Sequence, residues 1–555
     1  METPTQRLWT NLWWPCQQKT LLAEEKGMQA GIINMKERLA NGTTGFHEAI
    51  KKHHSKSFAD LYKTKVSTTQ SVEKTIKADR KLLKRLLNVV IAGRAVENFF
   101  LGNIPTIKRW RKERGYFMAK NLEEWTRQYG NTYVIFLLLN PYVFTLDPDS
   151  IKELAVSGKH GKPIDICQTF GDLYGQRFIG HGLVSEPNDK IWARRRLIFN
   201  PAFKRRYLRH VINHFNEIGD QLLLKFEKMA DDKMAHDLSD IFHRATLDVI
   251  GKIGFDKNLC GLTEEKSPFL YAIRTSVDGL SKKLSDPLLE HKFWQERAFK
   301  NKVRQACHMM RDSGRKWLEE RREAMMRGDN VPEDVLSLII HCQDISPDTM
   351  TLDEILDDMV TFIVAGQETT ANAISFVFLE LARRPDVVAK LREEIDRVLE
   401  GRTHVEFEDL AKFVYMTMVI KETLRLYPPV TFIFKQLRHD AIIDGYRVPE
   451  GTKAMISTFV AGRNPNLHPR PLEFMPERFE SGYKQRPSMY AYFPFSLGAR
   501  SCIGQNFAQI EMKIFIAKLL QRYSVKLDPE YKFELIEITT LKPNGGVPCL
   551  VSHRM

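Results

Sequence analysis

The chain of 555 residues carries a formal net charge of +14 and is 43% hydrophobic, so it is long enough for one large domain and an additional segment. Its cysteines are scattered with no CxxC pair, which argues against a disulfide framework and a zinc site and is typical of a reducing compartment. The positive charge accompanies no zinc-finger spacing or aromatic-interleaved basic module, so it favours an acidic protein or an anionic membrane surface over nucleic acid as a partner.

Residues 1–98 are polar and Lys-rich, and they are predicted to form an atypical N-terminal extension. Polar residues interrupt the Trp-rich opening, and no run of about 18 apolar residues occurs anywhere in the chain, so neither a signal peptide nor a standard transmembrane helix is predicted. Residues 74–87 have the pattern of a basic helix, which is more often solvated or interfacial than catalytic. With the aromatic cluster Trp9, Leu12, Trp13 and Trp14, this helix predicts peripheral membrane association.

Residues 99–555 have the pattern of one dense globular domain in which long helices dominate. Apolar alternation at 132–139 and 143–146 predicts a β-hairpin around Asn140 and Pro141, and shorter strand patterns follow at 441–448 and 452–460. Helical periodicity covers residues 209–229, 238–253, 299–327, 351–382, 386–399 and 408–426.

The first functional candidate is the segment 191–196 (IWARRR), which places Trp192 and Arg196 on one helix face. An indole N–H and a guanidinium on one face can bind a pair of carboxylates. For Arg194 and Arg195, docking of a protein partner is the competing explanation.

The second candidate is the segment 365–370 (AGQETT) of a long helix, where Ala365 and Thr369 lie one above the other. The Thr369 hydroxyl can bond back to the carbonyl four residues earlier, and Gly366 leaves room at the same turn. Glu368 adds a carboxyl group beside the hydroxyl, and such a pair can deliver protons to a reaction. A capping threonine in a bent core helix is the alternative explanation.

The third candidate is the pair Glu422 and Arg425, which share one helix face with apolar neighbours. Such neighbours imply burial, and a buried carboxylate needs full pairing, for which Arg478 in segment 476–479 (PERF) offers a second guanidinium. This trio is predicted to be structural and to hold the next segment in place.

The fourth candidate, residues 495–504 (FSLGARSCIG), is the most informative stretch of the chain. Arg500 precedes Cys502 by two residues, Gly504 follows it by two, and a helical pattern then begins. A helix N-terminus lowers a thiol pKa, and flanking glycines let the backbone approach a flat ligand. A structural cysteine beside a glycine turn is the alternative, but the fixed offsets of Phe495, the glycines and Arg500 favour a thiolate ligand for iron.

These four elements occur in the order found in cytochrome P450, and the chain resembles that family from about residue 99 to residue 551. The resemblance implies a mainly α cytochrome P450 fold, a large helical domain with a small β-rich subdomain enclosing haem b, with Thr369 and Glu368 as catalytic residues. Cys502 would be the axial ligand of the haem iron. The cofactor-binding residues that the resemblance implies are Cys502, Trp192, Arg196, Lys435, Arg500, Phe495 and Gly504. Lys435 stands where many members carry a propionate-binding arginine, and Arg438 is a possible substitute.

Within the family, residues 178–185 (FIGHGLVS) and 492–521 look closely like the cholesterol 24-hydroxylase subfamily. That resemblance implies a monooxygenase on the cytosolic face of the endoplasmic reticulum membrane. It would hydroxylate a sterol side chain with electrons from NADPH, delivered by a flavoprotein reductase. Gln367 departs from the histidine usual in the subfamily, and the usual N-terminal anchor helix is replaced by the Lys-rich segment.

Two alternatives remain open at the level of the sequence. A haem-thiolate isomerase or dehydratase would rearrange a peroxide without a reductase, but such enzymes tend to lack the acid and threonine pair present at Glu368 and Thr369. A haem-binding protein without turnover is the other alternative, and oxygen consumption that depends on NADPH and a reductase separates the three hypotheses.

Overall fold

The computed structural model describes residues 102–115, 117–137, 140–286, 289, 296–345, 350–484 and 488–554. The chain divides into Met1–Asn88 and Val89–Met555, and all of the described residues belong to the second part. The tryptophan cluster and the basic helix pattern predicted at 74–87 lie outside the described residues.

Helices make up most of the described chain. They are α1 (Ile104–Arg114), α2 (Met118–Tyr129), α3 (Pro148–Ala155), α4 (Ile164–Gly171), α5 (Asp189–Phe199), α6 (Arg205–His210), α7 (Ile212–Glu227), α8 (Leu238–Phe255), α9 (Pro268–Ser285), α10 (Arg297–Met326), α11 (Val335–Ile345), α12 (Leu352–Leu381), α13 (Pro385–Leu399), α14 (Asp409–Lys412), α15 (Val414–Leu426), α16 (Thr458–Arg463) and α17 (Gln505–Arg522), with short 3-10 turns at Asn200–Phe203 and Pro476–Phe479.

The strands form small sheets at the margins of the helices. They are β1 (Thr132–Leu137), β2 (Asn140–Thr145), β3 (Asp172–Leu173), β4 (Gln176–Arg177), β5 (His236–Asp237), β6 (Ile433–Gln436), β7 (Ala441–Ile443), β8 (Tyr446–Val448), β9 (Lys453–Ile456), β10 (Tyr523–Leu527), β11 (Leu535–Ile538), β12 (Thr540–Pro543) and β13 (Pro548–His553). The largest sheet has the order β1-β2-β9-β6 and contains one parallel pair, β2 with β9. The others are β10-β13-β5 and the pairs β11-β12, β3-β4 and β7-β8.

Helix α12 runs through the core and is buried along most of its length. Its start follows from a capping box in which the Thr351 hydroxyl accepts the Glu354 N–H and the Glu354 carboxylate accepts the Thr351 N–H. Helix α8 packs along it. The two helices are joined where Gln367 Nε2 donates to the His243 carbonyl (3.1 Å) and the Thr246 hydroxyl donates to the Gln367 carbonyl (3.0 Å).

By length and composition, α12 could also cross a membrane, and no other helix of the described residues passes that test. Its most apolar window has a mean hydropathy of 1.2, and 78% of that window is buried inside the protein. Burial of this kind is typical of the central helix of a large core.

Several predicted elements differ from the structure for local reasons. The helix predicted at 209–229 is interrupted at Val211 (ψ 10°) and the one at 408–426 at Phe413 (ψ 74°), so each becomes two helices. The strand predicted at 452–460 ends at Ile456, because Ser457 caps α16 by accepting the Val460 N–H at 3.1 Å. Pro141 lies inside β2, opposite Phe136, and so does not form the turn.

Candidate active site

The segment around Cys502 folds as a tight loop that ends at the first turn of α17. The Cys502 N–H donates to the Phe495 carbonyl at 2.9 Å. Gly498 has φ +69°, and a Cβ on it would lie 2.3 Å from the Ala155 carbonyl oxygen, so only glycine fits this close approach. Gly504 occupies the N-cap position of α17. The loop therefore holds the cysteine just before a helix N-terminus.

The Cys502 side chain is exposed, yet burial raises the pKa of its thiol. The Gly504 N–H and the Arg196 guanidinium lower this pKa, but by less than burial raises it. Exposure of the side chain and a pKa raised by burial are both explained if the sulfur borders an internal cavity. Such a cavity leaves the sulfur surface free although protein atoms surround it.

A second free surface occurs on α12, where the neighbouring turns are buried. Ala365 is exposed, and Val364, Gly366 and Thr369 are half-buried. The Thr369 hydroxyl donates to the Ala365 carbonyl at 2.8 Å, which is the back-bond expected from their spacing. An exposed alanine in a core helix indicates that this turn also faces a cavity.

Aromatic packing brings α12 and α17 together at this level. The ring of Phe203 lies 5.5 Å from that of Phe362 on α12 and 6.2 Å from that of Phe507 on α17. Phe362 is one turn from Ala365, and Phe507 follows Cys502 by five residues. The two free surfaces therefore belong to adjoining parts of the core.

Glu368 is buried and its carboxylate faces α8 and β12. Its Oε1 accepts from the Thr540 hydroxyl (2.9 Å) and the Asn372 amide (3.5 Å), and its Oε2 lies 3.5 Å from His243 Nε2. Burial alone would raise the pKa of Glu368, but the hydrogen bond and charge of His243, with smaller contributions from Lys542 and Thr540, lower it to about 2. Glu368 is therefore ionised at neutral pH.

A cationic cluster lies beside the cysteine loop. The Arg500 guanidinium lies 4.2 Å from the Trp192 ring and binds Asp189 Oδ1 at 2.6 Å, and Arg438 forms a second ion pair with Asp189. Arg196 donates to the Ser501 carbonyl at 2.9 Å, so α5 is tied to the residue before the cysteine.

Comparison with known proteins assigns the family. A family model for cytochrome P450 matches residues 95–549. The chain belongs to the cytochrome P450 family. Among its relatives, cytochrome P450 3A29 of Sus scrofa is 30% identical over 460 residues, which cover 80% of this chain and 86% of that protein.

Two further relatives carry different names. The ultra-long-chain fatty acid omega-hydroxylase of Homo sapiens is 30% identical over 425 residues (73% of this chain and 78% of that protein). Cytochrome P450 4d2 of Drosophila melanogaster is 29% identical over 474 residues (80% and 91%). The predicted family, the mainly α fold and the monooxygenase class are confirmed. A cytochrome P450 monooxygenase uses a haem iron, a redox partner and a lipophilic substrate.

The residues of this cytochrome P450 fit an anionic haem. Lys435 on β6 is buried and forms no ion pair with any described residue. Burial, together with the charge of Arg500, lowers the pKa of Lys435 to about 8, and the same two causes lower that of Lys162 to about 8. A buried cation such as Lys435 that has no counterion among the described residues needs an anion, and a propionate of haem would supply it.

The network predicted around Glu422 is buried in this cytochrome P450 and joins α15 to the chain that precedes the cysteine loop. Glu422 accepts Arg425 Nε and Nη2 at 2.8 and 2.7 Å, and Arg425 also donates to backbone carbonyls of residues 462, 471 and 473. Arg478 Nε lies 3.5 Å from Glu422 without the geometry of a hydrogen bond, while its Nη1 donates to the Pro469 carbonyl at 2.7 Å. Phe479 then packs on Tyr492, with ring centroids 4.7 Å apart.

The structure corrects the alternative explanation for Arg195, which was docking of a protein partner, because this residue is not on the surface. Its side chain is fully buried and binds Asp358 at 2.6 Å and the Glu354 carbonyl at 2.9 Å, which fastens α5 to the start of α12. Arg194 is exposed.

Several residues of the site were not found from the sequence. The contacts of His243, Asn372 and Thr540 with Glu368 join three separate elements, and Asp189 and Lys162 enter the cationic cluster from α5 and from the chain before α4. None of them lies in a motif with fixed spacing. The one available signal was Asn372, which shares a helix face with Glu368 at four residues' spacing.

Proposed function

We propose that this cytochrome P450 hydroxylates a sterol-like lipid, with side-chain hydroxylation of the cholesterol 24-hydroxylase type as the preferred reaction. The observation that carries the proposal is the accessible thiol of Cys502 at the N-terminus of α17, together with the buried Lys435, which has no ion pair among the described residues. The preference for a sterol rests on the sequence resemblance at 178–185 and 492–521.

In this proposal Cys502 is the axial ligand of the iron of haem b. Trp192, Arg196, Arg500 and Lys435 would hold the propionates, and Phe495 and Gly504 would shape the loop against the ring. When bound, the haem supplies activation of O2, because thiolate ligation favours O–O cleavage. Glu422, Arg425 and Arg478 hold the loop from behind.

Thr369 and Glu368 would deliver protons. The Thr369 hydroxyl lies at the exposed turn of α12, and its bond to Ala365 fixes its direction. Glu368 is next to it in sequence but is bonded to other partners, so a relay between them needs a water molecule or a rotation of the Glu368 side chain.

Support for a lipophilic substrate comes from apolar side chains that remain half-buried on β6 and on β11, the partner strand of β12. Ile433 and Phe434 on β6 and Leu535 and Ile538 on β11 are of this kind. The Leu541 N–H donates to the Pro429 carbonyl at 2.9 Å, which joins the β11-β12 hairpin to the chain before β6. These side chains could cover a sterol ring system.

The finer assignments follow the same resemblance. Electrons would come from NADPH through a flavoprotein reductase, and the protein would act at the cytosolic face of the endoplasmic reticulum membrane. A positively charged surface is suited to an acidic reductase and to anionic lipid, and no nucleic-acid partner is proposed.

Hydroxylation of a fatty acid is a second candidate function. It is favoured by one relative, which is named an ultra-long-chain fatty acid omega-hydroxylase. A fatty acid brings a carboxylate that needs a cation or hydrogen-bond donors in the channel, whereas a sterol brings one hydroxyl.

The decisive experiment reconstitutes the haem-loaded protein with an NADPH-dependent flavoprotein reductase. Cholesterol and a long-chain fatty acid are offered in parallel, and products are identified by mass spectrometry. Side-chain hydroxysterol as the main product supports the proposal, and an omega-hydroxy acid supports the second candidate. Consumption of neither NADPH nor substrate, with the thiolate CO spectrum present, would reject both.

A further inference from the structure

His243 on α8 lies against Glu368 in a buried position that keeps a small exposed fraction. Its side chain is 7% exposed and that of Glu368 is 6% exposed, and its Nε2 lies 3.5 Å from Glu368 Oε2. The other ring nitrogen, Nδ1, lies 2.8 Å from the Ser239 carbonyl. A carbonyl oxygen can only accept, so Nδ1 must carry a hydrogen.

This tautomer determines what Nε2 can do. In a neutral imidazole with a hydrogen on Nδ1, Nε2 bears a lone pair and would repel the carboxylate oxygen. The contact is attractive only when one proton lies between the two groups, on Nε2 or on the carboxyl group. His243 and Glu368 therefore hold one exchangeable proton as a pair.

The partners of the second carboxylate oxygen locate that proton. Glu368 Oε1 accepts from Thr540 (2.9 Å) and Asn372 (3.5 Å), and the Asn372 amide also donates to the Thr540 hydroxyl (3.0 Å). Donors that converge on a carboxylate stabilise its ionised form. The proton of the pair consequently lies on His243 Nε2 in the resting protein.

We propose that His243 is a positioning residue that stores one proton behind Glu368 for the oxygen chemistry at Thr369. This inference rests on the proposed role of Glu368 and Thr369. The proton leaves Nε2 for Oε2, where an oxygen lone pair forms the new O–H bond. The electron pair of the broken Nε2–H bond stays on Nε2 as a lone pair, so His243 becomes neutral and keeps its Nδ1 bond to Ser239. Glu368 passes the proton through water toward the Thr369 hydroxyl, and His243 regains one from solvent. No electron moves in these steps.

Charged groups from three elements act on Glu368 among the described residues. His243 on α8 and Lys542 on β12 favour its ionised form. Asp278 on α9 also interacts with Glu368. Its pKa is raised by burial, lowered by Lys542 and raised by the Glu368 charge, with a net increase. His243 and Glu368 therefore lie near both a cation, Lys542, and a further carboxyl group, Asp278.

The test compares His243→Gln with Thr246→Val in the haem-loaded, reconstituted protein. Glutamine can still donate a hydrogen bond to Glu368 but cannot supply a proton. Thr246→Val removes the bond from α8 to the Gln367 carbonyl at the same interface and carries no titratable group. The measurement is product formed per NADPH consumed, from pH 6 to pH 9, with peroxide release.

We expect His243→Gln to lower this coupling about tenfold, which is less than the ~10²–10⁴-fold effect of a direct general acid, because His243 acts through Glu368. The coupling of the variant should also depend less on pH than that of the wild type, because glutamine has no exchangeable acid proton at this position. Thr246→Val should keep the wild-type profile. Unchanged coupling in His243→Gln, or an equal loss in Thr246→Val, would overturn the proposal. If His243→Gln yields no holoprotein, His243→Asn is measured in the same way.

Infrared difference spectroscopy gives a readout that does not depend on turnover. In the His243→Gln variant the Glu368 carboxyl should protonate at a higher pH than in the wild type and give a carboxylic acid band. The double variant His243→Gln, Glu368→Gln is the control and should lack that band. If His243→Gln shows no such band at any pH, the proposed sharing of a proton between His243 and Glu368 is contradicted. Failure of the proposed function is separate, since it would show as an inactive wild type or as an unaltered Thr369→Ala variant.

Discussion

The Cys502 thiol has free surface although the protein around it raises its pKa. A thiol with a raised pKa stays protonated and unreactive at neutral pH, and a metal ion that binds it displaces the proton. Nearby, the Gly504 N–H and Arg196 already favour a negative sulfur. The site thus suits a thiolate that exists only when iron is bound.

Substitution of Cys502 by serine is expected to abolish both the thiolate-type spectrum of the reduced CO complex and all turnover, because a neutral hydroxyl is a poor ligand for iron. Cys260→Ser is the control, since Cys260 is half-buried at a distance in sequence and is also a free thiol. Difference spectra of both purified variants provide the measurement. A Cys502→Ser protein with the wild-type spectrum would refute the ligand assignment.

Thr369→Ala is expected to leave haem content unchanged and to divert reducing equivalents from product to peroxide, because proton delivery becomes disordered. Ser375→Ala is a matched control, as the Ser375 hydroxyl makes the same back-bond on α12 (to Ala371, 2.7 Å) but is fully buried. The ratio of peroxide to product is measured for each. If it rises equally in both variants, the Thr369 hydroxyl has no special role.

Among the elements, α15 and the segment before the cysteine loop are joined by fully buried charges. Glu422, Arg425 and Arg478 are each about 0–1% exposed. The Arg425 guanidinium satisfies one carboxylate and three backbone carbonyls, which leaves few of its donors without a partner. Such a network specifies one geometry for the chain that leads into the loop.

Arg425→Ala should therefore destabilise the protein strongly, since removal of one partner of a buried ion pair costs about 3–5 kcal/mol. The loss of stability is measured as the yield of folded holoprotein and as the urea concentration at the midpoint of unfolding. Arg470→Ala is the control, because Arg470 binds Glu473 at 2.9 Å but both side chains are 58% exposed, where an ion pair contributes about 0–1 kcal/mol. Equal midpoints for the two variants would contradict the buried network.

At the scale of the whole molecule, the net charge of +14 and the Lys-rich extension predict a peripheral, salt-sensitive association with membranes. Liposome flotation at low and high salt tests this with anionic and neutral vesicles. Binding should require anionic lipid and weaken in 1 M salt, where the Debye length is about 3 Å. Replacement of Lys74, Lys77 and Lys81 by glutamine should weaken it further. Binding that survives high salt and carbonate would indicate an integral anchor.

Local sequence determined the chemistry-bearing segments of this protein. The residues around Cys502 and Thr369 act through fixed offsets along one turn or one helix, so their spacing alone predicts the loop, the back-bond and the family. Helical periodicity likewise predicted the start of α12 to within one residue. Breaks inside predicted helices, as at Val211 and Phe413, were not predicted, because they are single-residue departures from helical backbone angles that apolar periodicity does not record.

Tertiary structure alone decided which partners each charge has. His243, Glu368 and Thr540 come from three elements far apart in the chain, and Arg195 changes from a surface candidate to a buried link with Asp358. Side-chain pairing across elements depends on the relative placement of helices, which no periodic pattern records. The cysteine loop could thus be predicted from spacing, whereas the proton proposed for His243 could be inferred only once α8 was packed against α12.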